Sequence, residues 1–208
     1  DPRLKEVRMG SLISKEQVEE VRNSVSDIAK KAKIVYGNLD KIETIGADAK
    51  KGAFVSPILF RADNPLENSV IHEREAFGPV STIMPYNNLE EAITLAQMGK
   101  GSLVSSIVTN DDKIAKEYVL NAASHHGRIL VLNRESAKES TGHGSPLPSL
   151  THGGPGRAGG GEEMGGIRGI KHYLQRTAIQ GSPSILTEIT GIYQPNSRYK
   201  EAAQHPFK

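Results

Sequence analysis

The chain has 208 residues, of which 37% are hydrophobic and 24% charged, and its formal net charge at pH 7 is +2. This balance predicts a soluble, globular, cytoplasmic protein and argues against a nucleic-acid-binding surface, while no apolar run approaches the roughly 20 residues that span a bilayer. Cysteine is absent, which removes disulfides, thiolate metal sites and a cysteine nucleophile from this chain.

The first predicted element is an amphipathic helix capped by Ser14. Gln17 stands three residues later, in the position of a capping box. Apolar residues then recur every three or four positions and form one face: Val18, Val21, Val25, Ile28, Ala29 and Ala32. Short β-rich segments predict strands over residues 34–36, 53–60 and 80–84. Pro57 places the second of these strands at an edge or a bulge.

The second half of the chain alternates strands and helices. The expected helices cover residues 89–98, 111–123 and 164–175, and Gly127 is expected to end the second of them. The expected strands cover residues 103–108 (buried), 129–132 and 177–179. This alternation predicts an α/β domain with a largely parallel sheet and flanking helices. Residues 183–208 lose the periodicity, which predicts a tail or linker.

A long glycine-rich segment, residues 132–169, interrupts this alternation. Eleven of the 21 glycines fall between Gly142 and Gly169, where they allow close approaches that a Cβ would forbid. Loops of this length are usually functional or disordered, and the ordered-looking sequence that follows favours function. We predict the wall of a pocket, with His143, Ser145 and His152 as polar substrate contacts.

Other kinds of site fit the sequence less well. Residues 154–159 match G-x-G-x-x-G, but the preceding strand ends about twenty residues too early for a dinucleotide fingerprint, and no Gly-Lys-Ser/Thr completes a Walker A loop. The histidine spacings match no zinc-binding pattern on a helix, so we expect no metal. Ser-His-Asp catalysis stays open, although the chain has no G-x-S-x-G elbow.

The more informative motif runs from residue 72 to residue 80, H-E-R-E-A-F-G-P-V. Its Gly-Pro pair leads into a strand, which predicts a rigid turn presenting Glu75 and Phe77 to one side. A carboxylate accepts hydrogen bonds from vicinal hydroxyls, and an aromatic ring packs on a flat ligand. The alternative is a charged turn beside a core phenylalanine.

Three ordered motifs resemble the aldehyde dehydrogenase family over nearly all of residues 2–182. Residues 75–80, E-A-F-G-P-V, resemble its E-x-F-G-P-V signature, and residues 1–21 resemble the segment after its nucleophile. Residues 152–165 resemble its closing F-G-G and S-G-x-G-x-E-x-G pattern. The resemblance implies an aldehyde dehydrogenase-like fold, with residues 1–175 as the C-terminal part of the catalytic domain.

The resemblance also implies roles for individual residues. It makes Glu75 a ligand of the nicotinamide ribose hydroxyls, places Phe77 near the nicotinamide, and lets Gln17 approach the ribose. Glu163 falls on a glutamate that can take part in a proton relay. His152 stands where many members have an aromatic residue facing the substrate tunnel, which implies a more polar tunnel. The family's cysteine nucleophile and glutamate base match nothing here, so the chain alone is expected to be inactive.

The long loop is similar to that of acyl-CoA semialdehyde dehydrogenases of aromatic catabolism. Some of these are bifunctional enzymes of phenylacetate catabolism, joined to an oxepin-CoA hydrolase (hydratase) domain. The similarity implies an acyl-CoA semialdehyde substrate, NADP with NAD as the alternative cofactor, and a hydratase domain beyond the tail. Residues 176–182 resemble the strand that pairs across a subunit interface, which implies a homo-oligomer. The competing hypothesis is a non-catalytic ligand-binding or assembly module.

Overall fold

The computed structural model describes residues 3–138, 152–158 and 174–199. The chain divides into two compact units, Asp1–Tyr86 and Asn87–Lys208. His143, Ser145 and Glu163 lie outside the described residues, as does most of the helix predicted over 164–175. Within the described ranges, no helix combines the length and the apolar character needed to cross a membrane.

The first unit contains a three-stranded sheet and a long helix. Its elements are α1 (Lys15–Ala29), β1 (Lys33–Tyr36), β2 (Ile58–Arg61), a 3₁₀ turn (Pro65–Glu67), α2 (Val70–Glu73) and β3 (Val80–Ile83). The strand order is β1-β2-β3, with β1 antiparallel and β3 parallel to the central β2. The short connection from α2 to β3 carries the motif that the sequence analysis singled out.

Helix α1 forms as its sequence predicts. The Ser14 hydroxyl accepts a hydrogen bond from the backbone N–H of Gln17 at 3.2 Å, which satisfies one of the free donors of the first turn. The buried residues of α1 pack in one core with those of β2: Val21, Val25, Ile28, Ile58 and Phe60. The predicted cap is therefore confirmed, and so is most of the predicted apolar face, but Ala29 is exposed. The buried residues fix α1 against the sheet.

The strand predicted over residues 53–60 is shorter than expected. It begins at Ile58, immediately after Pro57, and ends at Arg61. Proline has no backbone N–H to give to a ladder and is therefore confined to edges and strand starts. Pro57 thus stands immediately before β2, which is the middle strand of the described sheet, so the predicted edge position or bulge was wrong.

The second unit is built around a parallel sheet. Its elements are α3 (Leu89–Gln97), β4 (Ser102–Val108), α4 (Asp112–Ala122), a 3₁₀ turn (Ala123–His125), β5 (His126–Leu132), a second 3₁₀ turn (Gly156–Ala158), β6 (Ala178–Gln180) and α5 (Pro183–Thr190). The order is β4-β5-β6, and both pairings are parallel. The core lies between this sheet and helices α4 and α5. The predicted α/β class with largely parallel pairing is confirmed.

Two expectations for this sheet were wrong. Strand β5 starts at His126, so Gly127 lies in the strand and does not end the preceding helix. Strand β4 was expected to be buried, but Leu103 is 48% exposed and Val108 78% exposed. Among the described residues, β4 pairs only with β5, and a strand with one neighbour leaves part of its surface open.

Residues 183–190, within the segment predicted as a tail or linker, form a helix. Pro183 stands in its first turn, and Gly191, with a φ of 67°, terminates it in the left-handed conformation. Ile185 and Ile189 are buried in the core that contains α4. Beyond the helix, Arg198 and the Tyr199 hydroxyl both bind the buried carboxylate of Asp112. Tertiary burial therefore fixes a segment that local sequence pattern did not reveal.

Candidate functional site

The segment between α2 and β3, residues 74–79, is called the 74–79 turn below. The Gly78 N–H donates to the Ala76 carbonyl at 2.7 Å, and the Val80 N–H donates to the Gly78 carbonyl at 2.8 Å. Two consecutive three-residue turns of this kind leave the backbone little freedom. Glu75 is exposed and Phe77 is 72% exposed. The turn thus presents a carboxylate and an aromatic ring to the surroundings.

Helix α1 holds the backbone of this turn in place. The Gln17 side-chain amide donates to the Phe77 carbonyl at 2.7 Å, and the Ser24 hydroxyl donates to the Glu75 carbonyl at 3.3 Å. Both contacts use main-chain oxygens, so the side chains of Glu75 and Phe77 remain available for a ligand. The structure places the Gln17 side chain at the turn. Its contact with a cofactor ribose stays a prediction.

An ion pair at the start of the turn adds a further attachment to α1. The Arg74 guanidinium donates to the Asp27 carboxylate, which also accepts a hydrogen bond from Lys30 at 2.8 Å. The hydrogen bond from Lys30, followed by that from Arg74, lowers the pKa of Asp27 below its ordinary value. The Asp27 carboxylate therefore stays ionised at neutral pH, and the pair persists there.

His152 lies in the second unit, next to the start of β5. A Cβ placed on Gly127 would lie 2.6 Å from His152 Nδ1, so the imidazole occupies space that only a glycine leaves free. The Gly154 N–H donates to the same Nδ1 at 3.2 Å, which assigns the ring proton to Nε2. Burial, with smaller contributions from Arg128 and Arg176, lowers the pKa of His152. The half-buried ring is therefore neutral at pH 7; its role as a polar tunnel residue stays a prediction.

A small cavity opens at the carboxyl ends of β5 and β6, where ligands bind in open α/β sheets. Its volume is about 200 Å³, and its lining includes Glu135, Ser136 and Ser182. The buried Asn133 amide donates to the Ser182 hydroxyl at 3.0 Å. Asn133, Glu135 and Ser136 belong to the first turn of the glycine-rich segment. The described beginning of that segment thus borders a cavity.

Sequence reasoning missed Ser24, Asp27 and Arg74 as parts of the site. Ser24 carried a usable signal, because it is a small polar residue on the apolar face of α1 and is only 8% exposed. A buried hydroxyl needs a hydrogen-bond partner. The sequence alone does not show that its partner is the Glu75 carbonyl, 51 residues away.

His126 should make the stability of the second unit depend on pH. The side chain is 2% exposed, its Nδ1 lies 2.9 Å from the Ala122 carbonyl, and burial lowers its pKa. Because the unfolded chain binds a proton more readily, stability is full above the unfolded pKa of about 6.5 and is lost as the pH falls through the lower folded value. Thermal unfolding between about pH 7.5 and 5.5 should show a smaller loss for His126→Gln than for the wild type. His125→Gln is the matched control, and equal losses for all three proteins would contradict the assignment.

The aldehyde dehydrogenase family matches residues 1–179. A crystal structure of aldehyde dehydrogenase from Bartonella henselae resembles the chain with a TM-score of 0.56 and 26% identity, over 81% of this chain and 32% of that one. The NAD-dependent aldehyde dehydrogenase from Sinorhizobium meliloti gives a TM-score of 0.51 and 26% identity, over 63% of this chain and 24% of that one. The chain belongs to the aldehyde dehydrogenase family, whose members are oxidoreductases.

Within the family, the chain is similar to one protein that is named for an acyl-CoA semialdehyde and to a second protein without such a name. The 3,4-dehydroadipyl-CoA semialdehyde dehydrogenase of Aromatoleum evansii is 36% identical over 155 residues, which cover 74% of this chain and 30% of that protein. Protein MaoC of Klebsiella aerogenes is 47% identical over 201 residues, which cover 96% of this chain and 58% of that protein. The chain therefore spans little more than half the length of one curated relative and less than a third of the other.

Proposed function

We propose that the chain is part of an aldehyde dehydrogenase that oxidises an acyl-CoA semialdehyde to the acid with NADP, in phenylacetate or related aromatic catabolism. The observation that carries the proposal is the 74–79 turn, where Glu75 and Phe77 are exposed while their backbone is bonded to α1. The similarity to a dehydroadipyl-CoA semialdehyde dehydrogenase supports this substrate class.

The residues of the turn fit the nicotinamide end of the cofactor. When bound, the nicotinamide accepts the hydride that leaves the substrate. The Glu75 carboxylate has the acceptor oxygens that two vicinal ribose hydroxyls need, and the exposed face of Phe77 suits a flat ring. His152 is neutral and half-buried, and its imidazole can form a hydrogen bond with the aldehyde. In this proposal His143, Ser145 and Glu163 of the glycine-rich segment add polar substrate contacts and a proton relay.

The reaction needs groups that this chain does not contain. A thiolate must attack the aldehyde carbon, and a base must activate the water that hydrolyses the resulting thioester. The chain has no cysteine, so the nucleophile, the base and the rest of the catalytic domain come from another segment of the enzyme. We place a hydratase domain after residue 208 and expect the complete enzyme to be a homo-oligomer. Strand β6, which pairs with β5 within the chain, is the proposed site of subunit pairing.

The competing hypothesis is a ligand-binding or assembly module without chemistry. The absence of a nucleophile favours this hypothesis. The cavity and the glycine-rich segment would then bind a ligand without catalysing a reaction. The two hypotheses differ in what the complete protein does with an aldehyde.

The deciding experiment compares the purified chain with the complete protein that carries it. We expect the complete protein to reduce NADP when an acyl-CoA semialdehyde is added and the isolated chain to show no turnover, because it lacks a thiolate. The absorbance of the reduced nicotinamide measures the reaction rate of both proteins. Turnover by the isolated chain would contradict the proposed dependence on another segment. A complete protein that oxidises no aldehyde with NADP or NAD would favour the binding module.

A further inference from the structure

One stripe of residues along α1 contacts four residues of the 74–79 turn. Positions three and four apart on a helix lie on the same face, and the stripe consists of residues with this spacing: Gln17, Val21, Ser24 and Asp27. Their partners in the turn are, in the same order, Phe77, Gly78, Glu75 and Arg74. Hence the helix touches four of the six residues of the turn.

We infer that Ser24 and Asp27 are positioning residues that set the aim of Glu75 and Phe77 toward the nicotinamide riboside, an inference that rests on the proposed function. Neither residue is placed to touch the cofactor itself. Ser24 fixes the Glu75 carbonyl, and Asp27 fixes the Arg74 side chain one residue earlier. The two anchors therefore bracket the peptide unit from which the Glu75 side chain projects.

The packing of Gly78 shows how closely the turn must sit on the helix. A Cβ on Gly78 would lie 2.8 Å from Val21 Cγ2, closer than real Cβ contacts come. The turn is thus pressed against α1 beside the carbonyl that accepts from Gln17. A turn fixed at both ends loses little conformational entropy when the ligand binds. A more mobile turn would lose more, and its affinity for the ligand would be lower.

The burial of Ser24 distinguishes its hydrogen bond from an ordinary surface contact. Ser24 is 8% exposed, and its hydroxyl donates to a main-chain oxygen of the turn. Arg22 of α1 forms an ion pair with Asp40 at 3.2 Å, comparable to the pair between Asp27 and Arg74. This pair lies outside the 74–79 turn, and the Asp40 side chain is 89% exposed. Ser26 is exposed on the same helix. The chain therefore supplies matched control positions for both anchors.

The test uses the complete enzyme and measures KM for the nicotinamide nucleotide separately from KM for the aldehyde. We expect Ser24→Ala to raise the nucleotide KM by about five-fold, the loss of one neutral hydrogen bond, and Asp27→Asn to raise it by about two-fold, as for an exposed ion pair. The aldehyde KM should stay unchanged in both. Ser26→Ala and Asp40→Asn should match the wild type in every constant.

The outcomes separate this inference from the proposed function. If Glu75→Gln raises the nucleotide KM while Ser24→Ala and Asp27→Asn do not, the positioning role is overturned and the cofactor site stands. If Glu75→Gln also leaves the nucleotide KM unchanged, the proposed cofactor site itself fails. A rise of both KM values together in the Ser24 and Asp27 variants would indicate a general structural role and overturn the inference. Should Ser24→Ala not fold, Asp27→Asn gives the same readout.

Discussion

Glu75→Gln should lower kcat/KM for the nicotinamide nucleotide in the complete enzyme by about 10- to 100-fold. The carboxylate is exposed on a turn whose backbone is already bonded to α1, so its oxygens are available to the ribose hydroxyls. Hydrogen bonds to a charged group contribute about 1.5–3 kcal/mol, and glutamine keeps the shape while replacing one acceptor oxygen by a donor. Steady-state kinetics with saturating aldehyde and varied nucleotide measure the effect.

The matched control for this substitution is Glu67→Gln. Glu67 is an exposed acid of the same unit, at the end of the 3₁₀ turn Pro65–Glu67. Glu67 lies outside the 74–79 turn. Removing its charge should therefore leave kcat/KM for the nucleotide within two-fold of the wild type, about the effect of a surface charge. Equal effects of the two substitutions would show that net charge, and not the position of Glu75, governs nucleotide binding.

Gly101→Ala should destabilise the second unit by about 3 kcal/mol, because it combines backbone strain with a direct clash. Gly101 has a φ of +117°, and a Cβ there would lie 2.2 Å from the Pro155 carbonyl oxygen. The clash is with main chain, which cannot move away as a side-chain tip can. On the facing segment, Gly156 has a φ of +50°, and the Arg157 N–H donates to the Lys100 carbonyl at 3.2 Å.

Thermal unfolding followed by circular dichroism measures this effect. For a unit of the size of Asn87–Lys208, the expected loss corresponds to a fall in Tm of about 12 °C. Gly10→Ala is the control, since a Cβ on Gly10 would meet no atom within 4 Å. An unchanged Tm for Gly101→Ala would mean that residues 154–157 do not pack on the start of β4 in solution.

The features that the sequence revealed are those with local causes. Ser14 caps α1 through an amide three residues away. The alternation of strands and helices predicted parallel pairing, and three of the four described strand pairs are parallel. The Gly-Pro pair predicted the turn that carries Glu75 and Phe77. Each inference used neighbours within one turn or one strand.

The features that escaped prediction depend on residues far apart in the chain. The bond from Gln17 to the Phe77 carbonyl spans 60 positions, and no periodicity encodes such a partner. Helix α5 is rich in serine, threonine and isoleucine, which form helices less readily than alanine or leucine, and it is held because Ile185 and Ile189 enter the core. The extra length of β5 likewise follows from pairing with its neighbours on both sides.

The attachment of the turn to α1 has a consequence for engineering cofactor binding. Transplanting the hexapeptide of residues 75–80 into a distant homologue would carry over the side chains of Glu75 and Phe77 but not the direction in which they point. A successful chimera must also inherit the donors at positions 17 and 24 and a small side chain at position 78. The exchangeable module is therefore discontinuous, because it consists of a helix and a turn that lie far apart in the sequence.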